Sequence, residues 1–160
     1  MNDNAVSKDS VVIERTFEAG IDLIWQLWTQ PEHFKNWYGP NGATIPVAEM
    51  DFRVGGKRLI CMEMRGMKMW TTGKYTTISP NTHLAYTESM ADENGNLISP
   101  SAMGMPDGYP ETTEVTVLLE GLNGQTKMTM THAGMPAGSG ADSGWNQAFD
   151  KLAEHIKTFL

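Results

Sequence analysis

The C-terminal segment carries an apolar stripe that commits it to one kind of structure. Trp145, Ala148, Phe149, Leu152, Ala153, Ile156 and Phe159 fall at i, i+3, i+4, i+7, i+8, i+11 and i+14. That spacing predicts a helix running to the C-terminus with one broad face to bury. Ser143 or Asp142 is placed to cap its start. A face this wide needs a facing layer, and the preceding sequence offers a sheet.

Val11 to Phe17 alternates as a strand, with Val11, Ile13, Arg15 and Phe17 on one face. Ile21 to Thr29 is predicted helical from Ile21, Ile24, Trp25 and Trp28, with Asp22 suiting the positive N-terminal end. Thr29-Gln30-Pro31-Glu32 has the form of a capping box. It opens a second short helix that carries Phe34 and Trp37 and ends near Gly39-Pro40. Strands are then expected over Ile45–Phe52, Lys57–Met64, Met67–Ile78, His83–Met90, Thr112–Gly121 and Gln125–Ala133. Val54-Gly55-Gly56 breaks the first two apart, and Asn123-Gly124 marks a hairpin between the last two. The order β, α, α, six β, α predicts an α+β fold: an antiparallel sheet of six to seven strands covered on one face by the C-terminal helix. Met1 to Ser10 reads as a frayed lead-in, and residues 11–160 as a single domain.

The balance of 19 acidic against 12 basic residues gives a net charge of -7, which argues against nucleic acid or an anionic membrane as partner. No apolar run is long enough to span a bilayer and no signal core opens the chain, so a cytoplasmic location is expected. The single cysteine, Cys61, excludes an internal disulfide and reads as a small buried hydrophobe. No cofactor or metal is expected.

Methionine is where composition becomes specific. Four Met-x-Met pairs, Met62/Met64, Met67/Met69, Met103/Met105 and Met128/Met130, hold eight of the 12 methionines. On a strand, each such pair points to one face. If Arg65-Gly66 is a two-residue turn, Met64 opposes Met67, Met62 opposes Met69 and Ile60 opposes Thr71. One face then carries Ile60, four methionines and Tyr75. Met128, Met130 and His132 share a face of the last strand, and Leu84, Tyr86, Glu88 and Met90 share a face of another. Methionine lines surfaces that accept varied shapes, so the interior is either a filled core or a ligand cavity. Polar groups among the methionines and a loop of about 20 residues, Ala91 to Glu111, favour the cavity.

The expected ligand-binding residues are therefore Met62, Met64, Met69, Tyr75, Tyr86, Met128, Met130, His132, Trp145 and Phe149, with Met103 and Met105 on a candidate lid. His132 and Glu88 are candidates for an acid–base pair, although a buried, hydrogen-bonded His132 is the plainer reading. His33, His83 and His155 are expected to be exposed. Asp51 and Arg53 are placed to pair beside the Gly-Gly turn.

Several motifs in order match a known family. They are Glu14-Arg15-Thr16-Phe17-Glu18-Ala19, Pro31-Glu32-His33-Phe34-Lys35-Asn36-Trp37-Tyr38-Gly39-Pro40, Asp51-Phe52-Arg53-Val54-Gly55-Gly56, Gly73-Lys74-Tyr75 with Ile78-Ser79-Pro80, Leu84-Ala85-Tyr86-Thr87, Gln125 to His132, and Gly144-Trp145. Across about residues 11 to 160 the chain resembles the activators of the ninety-kilodalton heat-shock chaperone ATPase, within the START-like (SRPBCC, helix-grip) superfamily. The resemblance implies a curved antiparallel sheet gripping a long C-terminal helix, two short helices after the first strand, and an apolar ligand between helix and sheet. Two departures stand out. Gly20-Ile21 replaces a Pro common before the first helix, and Arg58 and Ile60 stand where aromatics are frequent. Eukaryotic members carry a further N-terminal domain for which these 160 residues leave no room, so ATPase activation is not expected.

Three functions follow as expectations. The first is a cytosolic protein binding a small hydrophobic or amphipathic molecule, and a homodimer is compatible with it. The second is a cyclase- or hydrolase-type enzyme using His132. The third is a module that contacts a heat-shock chaperone.

Overall fold

The structure, a computed structural model, describes residues 10–104, 110–135 and 140–159. Seven strands form one antiparallel sheet: β1 (Ser10–Phe17), β2 (Thr44–Met50), β3 (Lys57–Met64), β4 (Met67–Ser79), β5 (His83–Ala91), β6 (Thr112–Leu122) and β7 (Gln125–Ala133). Their spatial order is β1-β7-β6-β5-β4-β3-β2. Every neighbouring pair but β1 and β7 is therefore consecutive in sequence, and β1 returns beside the last strand. Helices α1 (Ile21–Thr29) and α2 (Pro31–Phe34) follow β1, and α3 (Ala141–Ile156) closes the chain with a 3-10 turn at Lys157–Phe159. This is the expected α+β helix-grip arrangement.

Alternation decides which face of the sheet is covered. Ile13 and Phe17 of β1, Leu84 and Tyr86 of β5, Val115, Val117 and Leu119 of β6, and Met128 and Met130 of β7 are all buried on the inner face. They meet Trp145, Ala148, Phe149, Leu152 and Ile156 of α3, together with Trp28, Phe34 and Trp37 from the α1–α2 region. Arg15 ties the same face to the helix by an ion pair of 2.9 Å with Asp150.

The hairpin turns confirm the register read from sequence. Met64 pairs with Met67, Met62 with Met69 and Ile60 with Thr71. Arg65 and Gly66 sit at φ 55° and 78°, and Asn123 and Gly124 at 51° and 85°. Both are two-residue turns with consecutive positive φ, the kind whose twist matches the flanking strands. Asn tolerates that backbone, whereas Arg has no such tolerance.

Several local expectations are corrected. Thr29 does not cap α2: its hydroxyl donates to the Trp25 carbonyl at 2.8 Å, and Gln30 takes the cap position without a side-chain bond. A threonine ending one helix satisfies that helix first. Neither Asp142 nor Ser143 caps α3, because the helix begins at Ala141 after Gly140, whose φ is 87°. Phe159 leaves the buried stripe for the 3-10 turn and lies 43% exposed against His33 and His155. His33, His83 and His155 are half-buried rather than exposed. The methionine face is covered at Ile60 and Met62, but the hairpin tip extends past its cover, leaving Met67 71% exposed.

The loop after β5 is locally structured in its described part. The Asp92 carboxylate accepts hydrogen bonds from the backbone of Asn94 and Asn96, and Leu97 pairs back onto Ala91. Asn94, Gly95 and Leu97 lie beside Leu59, Thr72 and Thr87, on the outer face of the sheet. The expected lid methionines, Met105 and the side chain of Met103, lie outside the described residues.

The turn makes a simple prediction. Arg65→Asn creates a second Asn-Gly hairpin turn and relieves the strained backbone. It should stabilise the protein by roughly 0.5–1 kcal/mol, read as a shift of the urea midpoint with unchanged slope.

Candidate functional site

A cavity of about 200 Å³ lies between the sheet and the N-terminal half of α3. Its floor is Ile60 and Met62 of β3, Met69 and Thr71 of β4, Glu88 of β5 and His132 of β7. Its roof is Ala141, Gly144, Trp145 and Ala148 of α3, and the segment Tyr38-Gly39-Pro40 after α2 closes one side. Met69 both lines the cavity and is 40% exposed, which puts the opening to solvent at the methionine hairpin. Gly39 has a structural reason to be there. Its φ is 88°, and a Cβ at this position would lie 2.9 Å from Met62 Cε. Glycine adopts this left-handed backbone without strain, and any Cβ would also make the Met62 methyl shift.

Of the residues expected to bind ligand, Met62, Met69, His132 and Trp145 line the cavity. Tyr75, Tyr86, Met128, Met130 and Phe149 do not; they are buried in the packed core around it. Met64 shares the face but is half-buried nearer the hairpin tip, outside the lining. Glu88, considered for acid–base work, is a wall residue. Tyr38, Gly144 and Ala148 were not singled out as ligand contacts. The small residues carried a weak signal: two positions without bulk on the stripe side of a helix rich in aromatics.

The polar groups of the cavity form two hydrogen-bonded chains, joined where the Thr113 hydroxyl donates to the Glu88 backbone carbonyl at 3.5 Å. Trp145 Nε1 donates to His132 Nδ1 at 3.0 Å, and indole nitrogen can only donate. His132 Nδ1 is therefore the unprotonated nitrogen. The proton sits on Nε2, which donates to Thr113 Oγ1 at 2.8 Å. Glu88 Oε1 lies 3.9 Å from the same Nε2, beyond hydrogen-bond range. Burial holds the His132 pKa below its ordinary value against the opposing pull of Glu88. Both ring nitrogens are thus engaged with protein groups, which ties α3 to β7 and matches the plainer reading of this histidine.

Tyr38 and Tyr86 complete the network. Their hydroxyls are 2.7 Å apart, and Tyr38 donates to Glu88 Oε2 at 2.9 Å. Tyr38 has one proton, so Tyr86 must be the donor to Tyr38. Burial, reinforced by the negative charge of Glu88, pushes both hydroxyls well above the usual tyrosine pKa and keeps them protonated. Behind Tyr86 lies Arg58, 2% exposed, its guanidinium 3.5 Å from the Tyr86 ring centre and 5.4 Å and 5.5 Å from those of Phe34 and Tyr75. Its Nε has no hydrogen-bond partner among the described residues. Stacking on aromatic faces is the main compensation for burying this cation. Arg58 repolarises this end of the sheet, but it does not line the cavity.

Other candidates have structural explanations. Cys61 is fully buried, and burial pushes its thiol pKa up, so it is a poor nucleophile. Arg53 and Asp51 form their expected ion pair at 2.9 Å, largely in solvent. Among the described residues no cluster of three or more His, Cys, Asp or Glu side chains is placed to hold a metal.

Comparison with known proteins places this geometry. The family model described as activator of Hsp90 ATPase homolog 1-like protein matches residues 18–157. The chain belongs to this family. Solved structures share its fold. A protein of Arthrobacter aurescens is 27% identical, with a TM-score of 0.78 over 96% of this chain and 88% of that one. A protein of Nitrosomonas europaea is 20% identical, with a TM-score of 0.76 over 95% and 96%. An AHSA1 protein of Silicibacter pomeroyi is 18% identical, with a TM-score of 0.73 over 94% and 99%. No curated protein matches the sequence. No described helix is long and apolar enough to cross a membrane. As a member of the family, the chain has a fold suited to ligand binding or to an activator-like role.

Two predictions follow from the network. The unfolded chain takes up a proton on His132 before the folded protein does. His132 therefore contributes stability that is present above the ordinary histidine value of 6.5 and is lost as pH falls through its lower folded value. NMR titration of the imidazole should show the Nε2–H tautomer at neutral pH and a midpoint below 6.5. Arg58→Lys keeps the charge but loses the planar stack, and should cost about 2 kcal/mol in denaturant unfolding.

Proposed function

We propose that this family member is a cytosolic binding protein for a small apolar or amphipathic molecule held between the sheet and α3. The observation that carries this reading is the cavity itself: about 200 Å³, walled mainly by Ile60, Met62, Met69, Trp145 and Ala148, with a few fixed polar groups. A dry apolar cavity of about 150 Å³ accepts benzene, so this one has room for a molecule of one ring or a short branched chain. Methionines at its opening can adjust to different shapes. A role for His132 as a general base is less well supported, because neither ring nitrogen has a free lone pair facing the cavity. The family match alone favours a chaperone partner.

Gly144 offers a clean test. It is a helical residue lining the cavity, and a Cβ there would meet only Pro40 Cβ, at 3.9 Å. Gly144→Leu therefore projects a side chain toward open space while improving helix propensity. Binding of ethylbenzene, followed by calorimetry or ligand-observed NMR, should weaken at least tenfold in this variant, with no loss of thermal stability. Equal binding by both proteins would remove the cavity as the binding site.

A further inference from the structure

The polar atoms facing the cavity are unequal, and their inequality specifies a ligand. The tyrosine, histidine and indole donors are already used. Tyr38 gives its one proton to Glu88, Tyr86 gives its proton to Tyr38, His132 Nε2–H goes to Thr113, and Trp145 Nε1–H goes to His132. Acceptors are in surplus. A carboxylate offers about four lone-pair positions, and among the described residues Glu88 receives a single hydrogen bond, on Oε2. Its Oε1 receives none, yet the side chain is only 16% exposed. Thr71 also lines the cavity, and its hydroxyl bonds to no described residue. Thr71 pairs with Met90, so Glu88, two residues before Met90 on β5, is its diagonal neighbour on the same face.

The charges point the same way. Among the described residues, Glu88 is the only acidic or basic side chain on the cavity wall other than the neutral His132. Two cations lie nearby, and both are committed elsewhere. Arg58 is stacked among rings behind Tyr86, and Lys151 donates to the carbonyls of Pro40 and Tyr38 at 3.0 Å and 3.5 Å. Neither is part of the lining. The net charge of -7 adds a long-range attraction for cations.

The geometry points to a small apolar primary amine as the ligand class: its hydrocarbon body against Ile60, Met62, Met69 and Trp145, and its ammonium on Glu88 Oε1 with Thr71 as a second acceptor. This rests on the apolar-cavity reading above and narrows it. An anion of the same size would meet the Glu88 carboxylate, which no cation neutralises, and, among the described residues, no free side-chain donor on the wall except Thr71. A hydrocarbon would fill the volume and leave Oε1 unpaired in a largely buried place, which is unfavourable for a charged acceptor.

The test uses one-ring probes of nearly equal size on the full chain at pH 7: ethylbenzene, benzyl alcohol, benzylamine and benzoate. Benzylamine should bind about tenfold or more tighter than ethylbenzene and benzyl alcohol, since a charge-assisted hydrogen bond outweighs a neutral one, and benzoate weakest of all. In Glu88→Gln, which keeps an acceptor for Tyr38, the ratio of benzylamine to ethylbenzene affinity should fall to near one. Thermal unfolding of that variant reports whether the network has survived. Ethylbenzene binding as well as benzylamine, or benzyl alcohol matching it, overturns the amine assignment and leaves the apolar cavity standing. Failure of all four to bind overturns both. A benzylamine preference that survives Glu88→Gln in a folded protein places the cation elsewhere and overturns the role of Glu88.

Discussion

One helix has to cover one face of a seven-stranded sheet. At the usual strand spacing the sheet is roughly 30 Å across, whereas a helix with its side chains is about 10–12 Å wide. The stripe of α3 buries part of the inner face, and the sheet must curl around it to bury more. The remainder falls to side chains from the α1–α2 region. Trp28, Phe34 and Trp37 pack into one region beside Phe149, with ring centres as close as 4.7 Å between Trp28 and Trp37. Over Met62 of β3 and Met69 of β4 no described aromatic side chain is a comparable filler. The helix presents Gly144 and Ala148 there, the sheet presents Met62 and Met69, and the space between them stays open. The cavity is thus what remains when a narrow helix and a few aromatic rings cover a wide sheet.

The network around Glu88 sets the chemistry of that space. Each member fixes the next: indole sets the histidine tautomer, histidine spends its proton on threonine, and the two tyrosines align toward the carboxylate. Such a chain holds a single pattern of donors and acceptors, because reversing one link would leave an unpaired buried group. The result is a cavity with one fixed polar pole and otherwise apolar walls.

Much of this fold was legible in the sequence because its dominant signals are periodic. Strict alternation located β3 and β7 to the residue, and helical spacing located α1. The Arg65-Gly66 turn, combined with period-two alternation, fixed the pairing of four methionines. The signals that failed were those in which two local partners compete. Thr29 had both a carbonyl behind it and a helix ahead of it, and the carbonyl won. The loop after β5 could have turned to either face of the sheet; its described part packs on the outer one, beside Leu59, a choice that no residue within the loop announces. For the site, the alternating face named the right surface but could not separate wall from core. Met128 and Met130 share a face with His132 yet lie under the body of α3, so they became packing. Tyr38 was missed because its role depends on a partner 50 residues away on β5.

Arg58 carries a consequence for how sequences of this fold can drift. Its cation is held by the faces of Phe34, Tyr75 and Tyr86, which come from a helix and two different strands. Losing any one ring exposes a desolvated charge, and losing the charge leaves three rings around a void. Neither step alone is neutral, so these four positions are expected to change as a block. An apolar residue at 58 would arrive together with bulkier neighbours, and an arginine there would mark lineages that kept all three rings. Because Tyr86 also orients Tyr38, and through it Glu88, such a block replacement would rewrite the polar pole of the cavity from a residue that never touches it.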